Sequence, residues 1–164
     1  SALQEAADAG VKIVYVDSPA NVEAEATFST DNKAAGKTAG EEMIKALEEK
    51  GVTSGKIGII NVNAATDSTV NREEGFREAF EGTEFDSCFC WCCIRSGAGF
   101  DKSDAILNLI EDGYLYCTMA QNPDVMGSEG VKAAVQAIGG EDLGGEVTDT
   151  GVSVITKGAM PEAE

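Results

Sequence analysis

Short β-rich apolar runs alternate along this chain with segments of helical periodicity, and no other feature narrows the fold so far. Val11 to Val16 is such a run, ending in the turn-forming Asp17, Ser18 and Pro19. Ala26 to Ser29 is a short second one. Lys56 to Val62 is nearly continuous in apolar residues, the pattern of a strand covered on both faces. Tyr114 to Ala120 and Val152 to Thr156 complete the set. Between them the periodicity turns helical. From Lys33 to Lys50 the residues Ala35, Ala39, Met43 and Leu47 recur every fourth position with Gly36, Gly40 and Ile44 beside them, and Gly51 closes the segment. Thr69 to Phe80 reads as a helix capped by Ser68, with Val70, Phe76 and Phe80 turned inward. Asp101 to Asp112 reads as another, stopped by Gly113, and Asn122 followed by Pro123 opens a further one to Ile138. A helix over Ala2 to Ala9 precedes them all. Strands joined by helix-length crossovers predict an α/β fold with a mostly parallel sheet and helices on both faces.

Charge and composition exclude several functions. The 29 acidic residues outnumber the 12 basic ones, for a formal charge of −17, so the field of the chain repels phosphate backbones and nucleic acid is not an expected partner. The chain has no histidine, which removes histidine-dependent triads, zinc sites and haem ligation. No apolar stretch is long enough to span a membrane, and no signal segment opens the sequence; because it starts within a helix, the chain reads as trimmed. Cys88, Cys90, Cys92 and Cys93 crowd around Trp91, while Cys117 stands alone in a strand as a small core residue. The crowded thiols could ligate a soft metal, but their spacing is not the paired C-x-x-C of structural zinc, so no metal and no cofactor are expected. A redox or metal protein built on them is the least favoured class. The loop Asn61 to Asp67 lacks the glycines and lysine of a phosphate loop, and Asp67, Glu73, Glu74 and Glu111 read as a solvated face. No catalytic residue is expected.

Several stretches together resemble the type I periplasmic binding proteins, in particular the ribose- and galactose-type sugar-binding subunits of ABC importers. They are AADAGVKIVYVDSP from Ala6, STDNKAAGKTAG from Ser29, Lys56 to Val62, REEGF from Arg72, GFDKSDAILNLIEDG from Gly99, TMAQNPDVMG from Thr118 and DTGVSVITK from Asp149. The resemblance implies an incomplete two-lobe fold. Residues 1–31 and 122–147 look like remnants of lobe one, and residues 32–121 and 148–158 like lobe two. Residues 87–98 form an out-of-family junction, where the family would carry further strands and helices.

The resemblance also implies a site. Asp17 and Asp101 match carboxylates that accept hydrogen bonds from sugar hydroxyls, and Gln121 matches a polar hinge residue that reaches the sugar. Arg72 matches a common family arginine. Ser18 and Val70 stand where ribose-type members have arginines, which leaves the identity of the sugar open. On position alone, Asp17 could be merely a polar strand end, Asp101 a helix cap and Gln121 a turn residue. The implied function is a non-enzymatic, extracytoplasmic receptor, periplasmic or a cell-surface lipoprotein. It would hold a monosaccharide or similar small polar solute between its lobes for an ABC permease. The alternative is the sugar-effector-binding core of a LacI-type transcription repressor, although no basic helix-turn-helix is present. With central strands missing, the chain is expected to bind sugar weakly or not at all and to pair with a second copy as a homodimer or larger assembly, the cysteine-rich stretch forming the new edge strand.

Overall fold

The computed structural model describes residues 1–60, 66–88 and 97–161. Among the described residues three sheets, with four of their strand pairs parallel, and five helices are arranged in two compact units, the first comprising Ser1–Asp31 with Gln121–Gly151 and the second Asn32–Ala120 with Val152–Glu164. The α/β class with parallel pairing is the one the alternating pattern predicts.

The first unit is built on a sheet of order β1 (Val14–Val16), β2 (Ala26–Ser29) and β7 (Glu146–Asp149), with β2 in the middle and parallel to both neighbours. Helix α1 (Ala2–Asp8) starts with the Ser1 hydroxyl accepting the Gln4 amide. Helix α5 (Pro123–Ile138) lays Met126, Gly130, Ala133 and Ala137 against the sheet. Gly130 allows close packing there, because a Cβ at that position would come 2.7 Å from Val16 Cγ2 and displace it. The outer side of α5 leaves Val131, Val135 and Ile138 exposed.

In the second unit, helix α2 (Asn32–Glu49) buries Ala35, Gly36, Ala39, Gly40, Met43, Ala46 and Leu47 along one face. Part of that face receives α3 (Asp67–Ala79) at backbone distance. A Cβ on Gly36 would run into the Arg72 carbonyl, one on Gly40 would meet the Phe76 carbonyl at 2.9 Å, and one on Gly75 would run into the Lys33 carbonyl. The spacing of Gly36 and Gly40 is thus a close-approach seam. Exposed Lys33 and Lys37 cross it to Glu74 and Glu78. Such surface pairs add little. The rest of the α2 face rests on two sheets. Met43 and Leu47 join Ile57 and Phe80 over β3 (Gly55–Gly58) and its parallel partner β4 (Phe85–Cys88). Ala39 joins Cys117 and Met119 over the sheet of β5 (Ala98–Phe100), β6 (Cys117–Gln121) and β8 (Val152–Thr156). On another layer Ile110, from α4 (Asp104–Glu111), packs with Ala120 and Ile155.

Several boundaries move inward from those predicted. The first strand covers only Val14–Val16, and the third stops at Gly58. The third predicted helix begins at Asp104 rather than Asp101, because the Ser103 hydroxyl accepts the Ile106 amide and is the cap. Helix α3 starts at Asp67 with Thr66, not Ser68, at its cap position. Strands β4, β5 and β7 were not predicted: each is short, and β7 is exposed along its length and carries no burial pattern to read. Cys117 is fully buried, as expected of a core residue, and burial pushes its thiol up to about 12, so it stays protonated at neutral pH. The loop 61–65 and the junction residues 89–96, including Cys90, Trp91, Cys92 and Cys93, lie outside the described residues.

The glycine seam predicts opposite effects for two glycine-to-alanine changes. Gly75→Ala sets a methyl against main chain that cannot move aside and should cost about 3 kcal/mol of stability. Gly127→Ala, in α5 with nothing within 4 Å, should add about 0.5–1 kcal/mol. Urea denaturation of both variants measures the difference, and equal effects would mean that the helices separate freely.

Candidate functional site

Parallel strands gather their carboxyl ends on one edge of a sheet, and the loops that leave this edge are free to carry polar groups. In the first unit that edge belongs to β1 and β2. The register pairs Val14 with Ala26 and Val16 with Phe28, and the chain then bends at Asp17, whose amide donates to the Phe28 carbonyl at 2.8 Å. Asp17 has φ 71°, a left-handed conformation that costs a side-chain-bearing residue roughly 1–2 kcal/mol. Its exposed carboxylate accepts the Ser18 hydroxyl at 3.0 Å.

The second unit repeats the arrangement. The register pairs Ala98 with Cys117 and Phe100 with Met119, and the chain then bends at Asp101, whose amide donates to the Met119 carbonyl at 2.9 Å. Asp101 has φ 70°. Among the described residues, Asp17 and Asp101 alone adopt positive φ without being glycine. Both follow an edge strand, and each bonds to the residue paired with that strand's last position. Asp101 is not a helix cap, a role Ser103 fills. Asp101 is exposed and stands one residue past the end of β5.

Gln121 ends β6 and belongs to the first unit, where the buried Thr30 hydroxyl donates to its side-chain oxygen at 3.2 Å. The end of β2 therefore serves both first-unit candidates, Asp17 through the Phe28 carbonyl and Gln121 through Thr30. Asn122 does not cap α5 with its side chain; its amide donates instead to the Thr150 carbonyl at 2.9 Å. Asp149 holds the amides of Asp31 and Gly151, and Thr150 bonds the Ser29 carbonyl through both amide and hydroxyl. Thr30, Asp149 and Thr150 escape sequence reasoning, because side chains that brace strand ends are spaced by the sheet and not by the chain.

Arg72 lies with its guanidinium carbon 4.4 Å from the centre of the Phe100 ring and its Nε donating to Asn32 Oδ1 at 2.8 Å. The stack and the hydrogen bond fix the guanidinium plane and link the start of α2 to the residue preceding Asp101. Arg72 and Asp101 are thus brought together through Phe100 in the second unit, and Asp17 and Gln121 through β2 in the first. A hollow of about 270 Å³ bordered by Lys50, Ile110, Leu115, Tyr116 and Lys157 adjoins the opposite, amino-terminal end of β6 and shares no residue with this group. No cluster of metal-ligating side chains occurs among the described residues.

The sequence profile described as the periplasmic binding protein domain matches residues 1–89. The structure is similar to a sugar-binding protein of a sugar ABC transporter from Bacillus halodurans (19% identity, TM-score 0.80), covering 95% of this chain and 72% of that one. It is also similar to two ABC transporter solute-binding proteins from Agrobacterium vitis. One was solved with bound α-D-tagatopyranose (18% identity, TM-score 0.79, covering 95% of this chain and 70% of that one). The other holds D-fucose (23% identity, TM-score 0.78, covering 96% and 70%). At these identities the likeness establishes the fold. No curated protein sequence matches the chain significantly.

The left-handed aspartates predict a trade of stability against chemistry. Asp17→Gly removes the carboxylate but relieves the backbone, and should raise the unfolding free energy by about 0.5–1 kcal/mol after the extra unfolded-state entropy of glycine is offset. Urea titration measures it; a loss of stability would show that the Asp17 contact with Ser18 outweighs the strain.

Proposed function

Since the chain belongs to the periplasmic binding protein domain family, we propose that it is the extracytoplasmic solute-binding component of a sugar ABC importer and catalyses no reaction. The observation that carries this reading is the pair of aspartates held at the carboxyl ends of β1 and β5 by the same backbone arrangement. A neutral polyol offers hydroxyl hydrogens and no charge. It is best recognised by ionised acceptors already fixed in place, through charge-assisted hydrogen bonds. Asp17 and Asp101 are such acceptors in this proposal. Gln121 adds an amide, while Arg72 serves by holding Phe100. Both aspartates share a left-handed backbone at equivalent strand ends, which fixes where each carboxylate leaves its strand, and a ligand role makes use of that placement. The similar structures named as transporter components, two of them with a monosaccharide bound, favour this reading over a repressor core. No described helix is long and apolar enough to cross a membrane; the membrane partner in this proposal is an ABC permease.

Binding should be weak in this chain, because tight sugar sites enclose most of the ligand surface. Titration of the ¹⁵N-labelled protein with D-fucose, D-tagatose and D-arabinose should shift the amides of Asp17, Asp101 and Gln121, with half-saturation on the order of 1 mM. Asp101→Asn should abolish the shifts, and an unaltered spectrum with all three sugars would overturn the assignment.

A second copy of the chain is proposed as a further partner. Among the described residues, strands β1, β3 and β5 each have a neighbour on one side only, and α5 exposes Val131, Val135 and Ile138. Sedimentation under reducing conditions should show a dimer at micromolar concentration; a cooperatively folded monomer would rule it out.

A further inference from the structure

We propose that Thr118 is a positioning residue for Asp101, fixing the direction of its carboxylate through the Asp101 main chain; this rests on the reading of Asp101 as a sugar ligand. Thr118 is the second residue of β6 and is 0% exposed. On either side of it, Cys117 and Met119 belong to the apolar cluster under α2, and Ala120 packs with Ile110 and Ile155. A valine would fill such a place equally well, and a buried hydroxyl is costly unless it is bonded. The Thr118 hydroxyl donates to the Asp101 carbonyl at 2.9 Å.

That bond completes a two-point hold. The Asp101 amide donates to the Met119 carbonyl at 2.9 Å, so consecutive β6 residues grip Asp101 at both ends of its main chain. Gripped in this way, the residue is kept at φ 70° and cannot relax into the extended conformation that would continue β5. Relaxation would turn the carboxylate toward the other side of the strand, since side chains alternate along extended backbone. The residue paired with Thr118 is Gly99, where an added Cβ would lie 3.4 Å from the hydroxyl oxygen. The stack of Arg72 on Phe100 secures the residue just before Asp101, and the Ser103 cap secures the turn just after it.

The test compares Thr118→Val, which exchanges the hydroxyl for a methyl group, with Thr118→Ser, which keeps it. In the ¹⁵N-labelled chain without sugar, Thr118→Val should shift the Asp101 and Lys102 amides and speed exchange at Asp101 about tenfold, equivalent to 1.4 kcal/mol. It should also raise the D-arabinose concentration at half-saturation about tenfold. Thr118→Ser should stay within about twofold of the parent on both readouts, which a mere packing role for the threonine would not produce. Thr118→Ala replaces the valine variant if that one does not fold. Parent-like Asp101 signals in Thr118→Val would overturn the proposal. Parent-like sugar affinity in that variant, while Asp101→Asn loses binding, would overturn it equally. If Asp101→Asn binds sugar as the parent does, the ligand reading of Asp101 falls, and the sugar-free exchange rates alone decide whether Thr118 holds the main chain.

Discussion

The second unit depends on the contact of two helix backbones. Gly36 and Gly40 on α2 and Gly75 on α3 remove the side chains that would hold the axes apart, so main chain lies against main chain along the seam. Everything that α2 supports follows from this approach. One turn apart at the end of α3, Phe76 and Phe80 stand 5.1 Å apart by ring centres, and Phe80 reaches Phe85 of β4. The remaining apolar face of α2 is left for the sheets, with Met43 and Leu47 over β3 and Ala39 over β6. One side chain at each glycine would push α3 away and uncover this shared floor.

The same contact prepares the candidate site. Arg72 lies on the turn of α3 that meets Gly36, and from there its guanidinium reaches both Asn32 and the Phe100 ring. Its charge needs no buried carboxylate, because an aromatic face and an amide oxygen take the place of one. The Cys117 thiol, raised by burial, and the Tyr116 hydroxyl, raised by burial and by its bond to Glu49, are both protonated at neutral pH. Neither is prepared as a nucleophile.

In each unit a central strand acts as the template for the polar groups. Strand β2 takes the Asp17 amide on Phe28 and, one residue past its end, presents Thr30 to Gln121. Strand β6 takes the Asp101 amide on Met119 and the Asp101 carbonyl on Thr118. A central strand has neighbours on both sides and little freedom to move, so groups hung from it are held more firmly than groups on loops. The edge strands β1 and β5 supply the aspartates, and the central strands decide where those aspartates point.

The local pattern of the chain determined the kind of fold and most of its elements. The four-residue recurrence from Ala35 to Leu47 specifies a helix with one buried face, Pro123 specifies where α5 begins, and Gly51 and Gly113, at φ 69° and 79°, specify where α2 and α4 end. These are effects of neighbouring residues and can be read along the chain. Asp17 and Asp101 were found as candidates through the family resemblance, but their shared left-handed backbone was not, since φ at a strand end depends on a carbonyl from another strand. Strand ends were overextended for a related reason: apolar residues such as Val11 and Ile60 continue the pattern, yet both are exposed where pairing has stopped. Thr30, Thr118 and Thr150 look like ordinary polar residues in sequence. Only the tertiary structure brings each beside the carbonyl or amide it serves, across separations of 91, 17 and 121 residues, because hydrogen bonds between strands depend on register and not on distance along the chain.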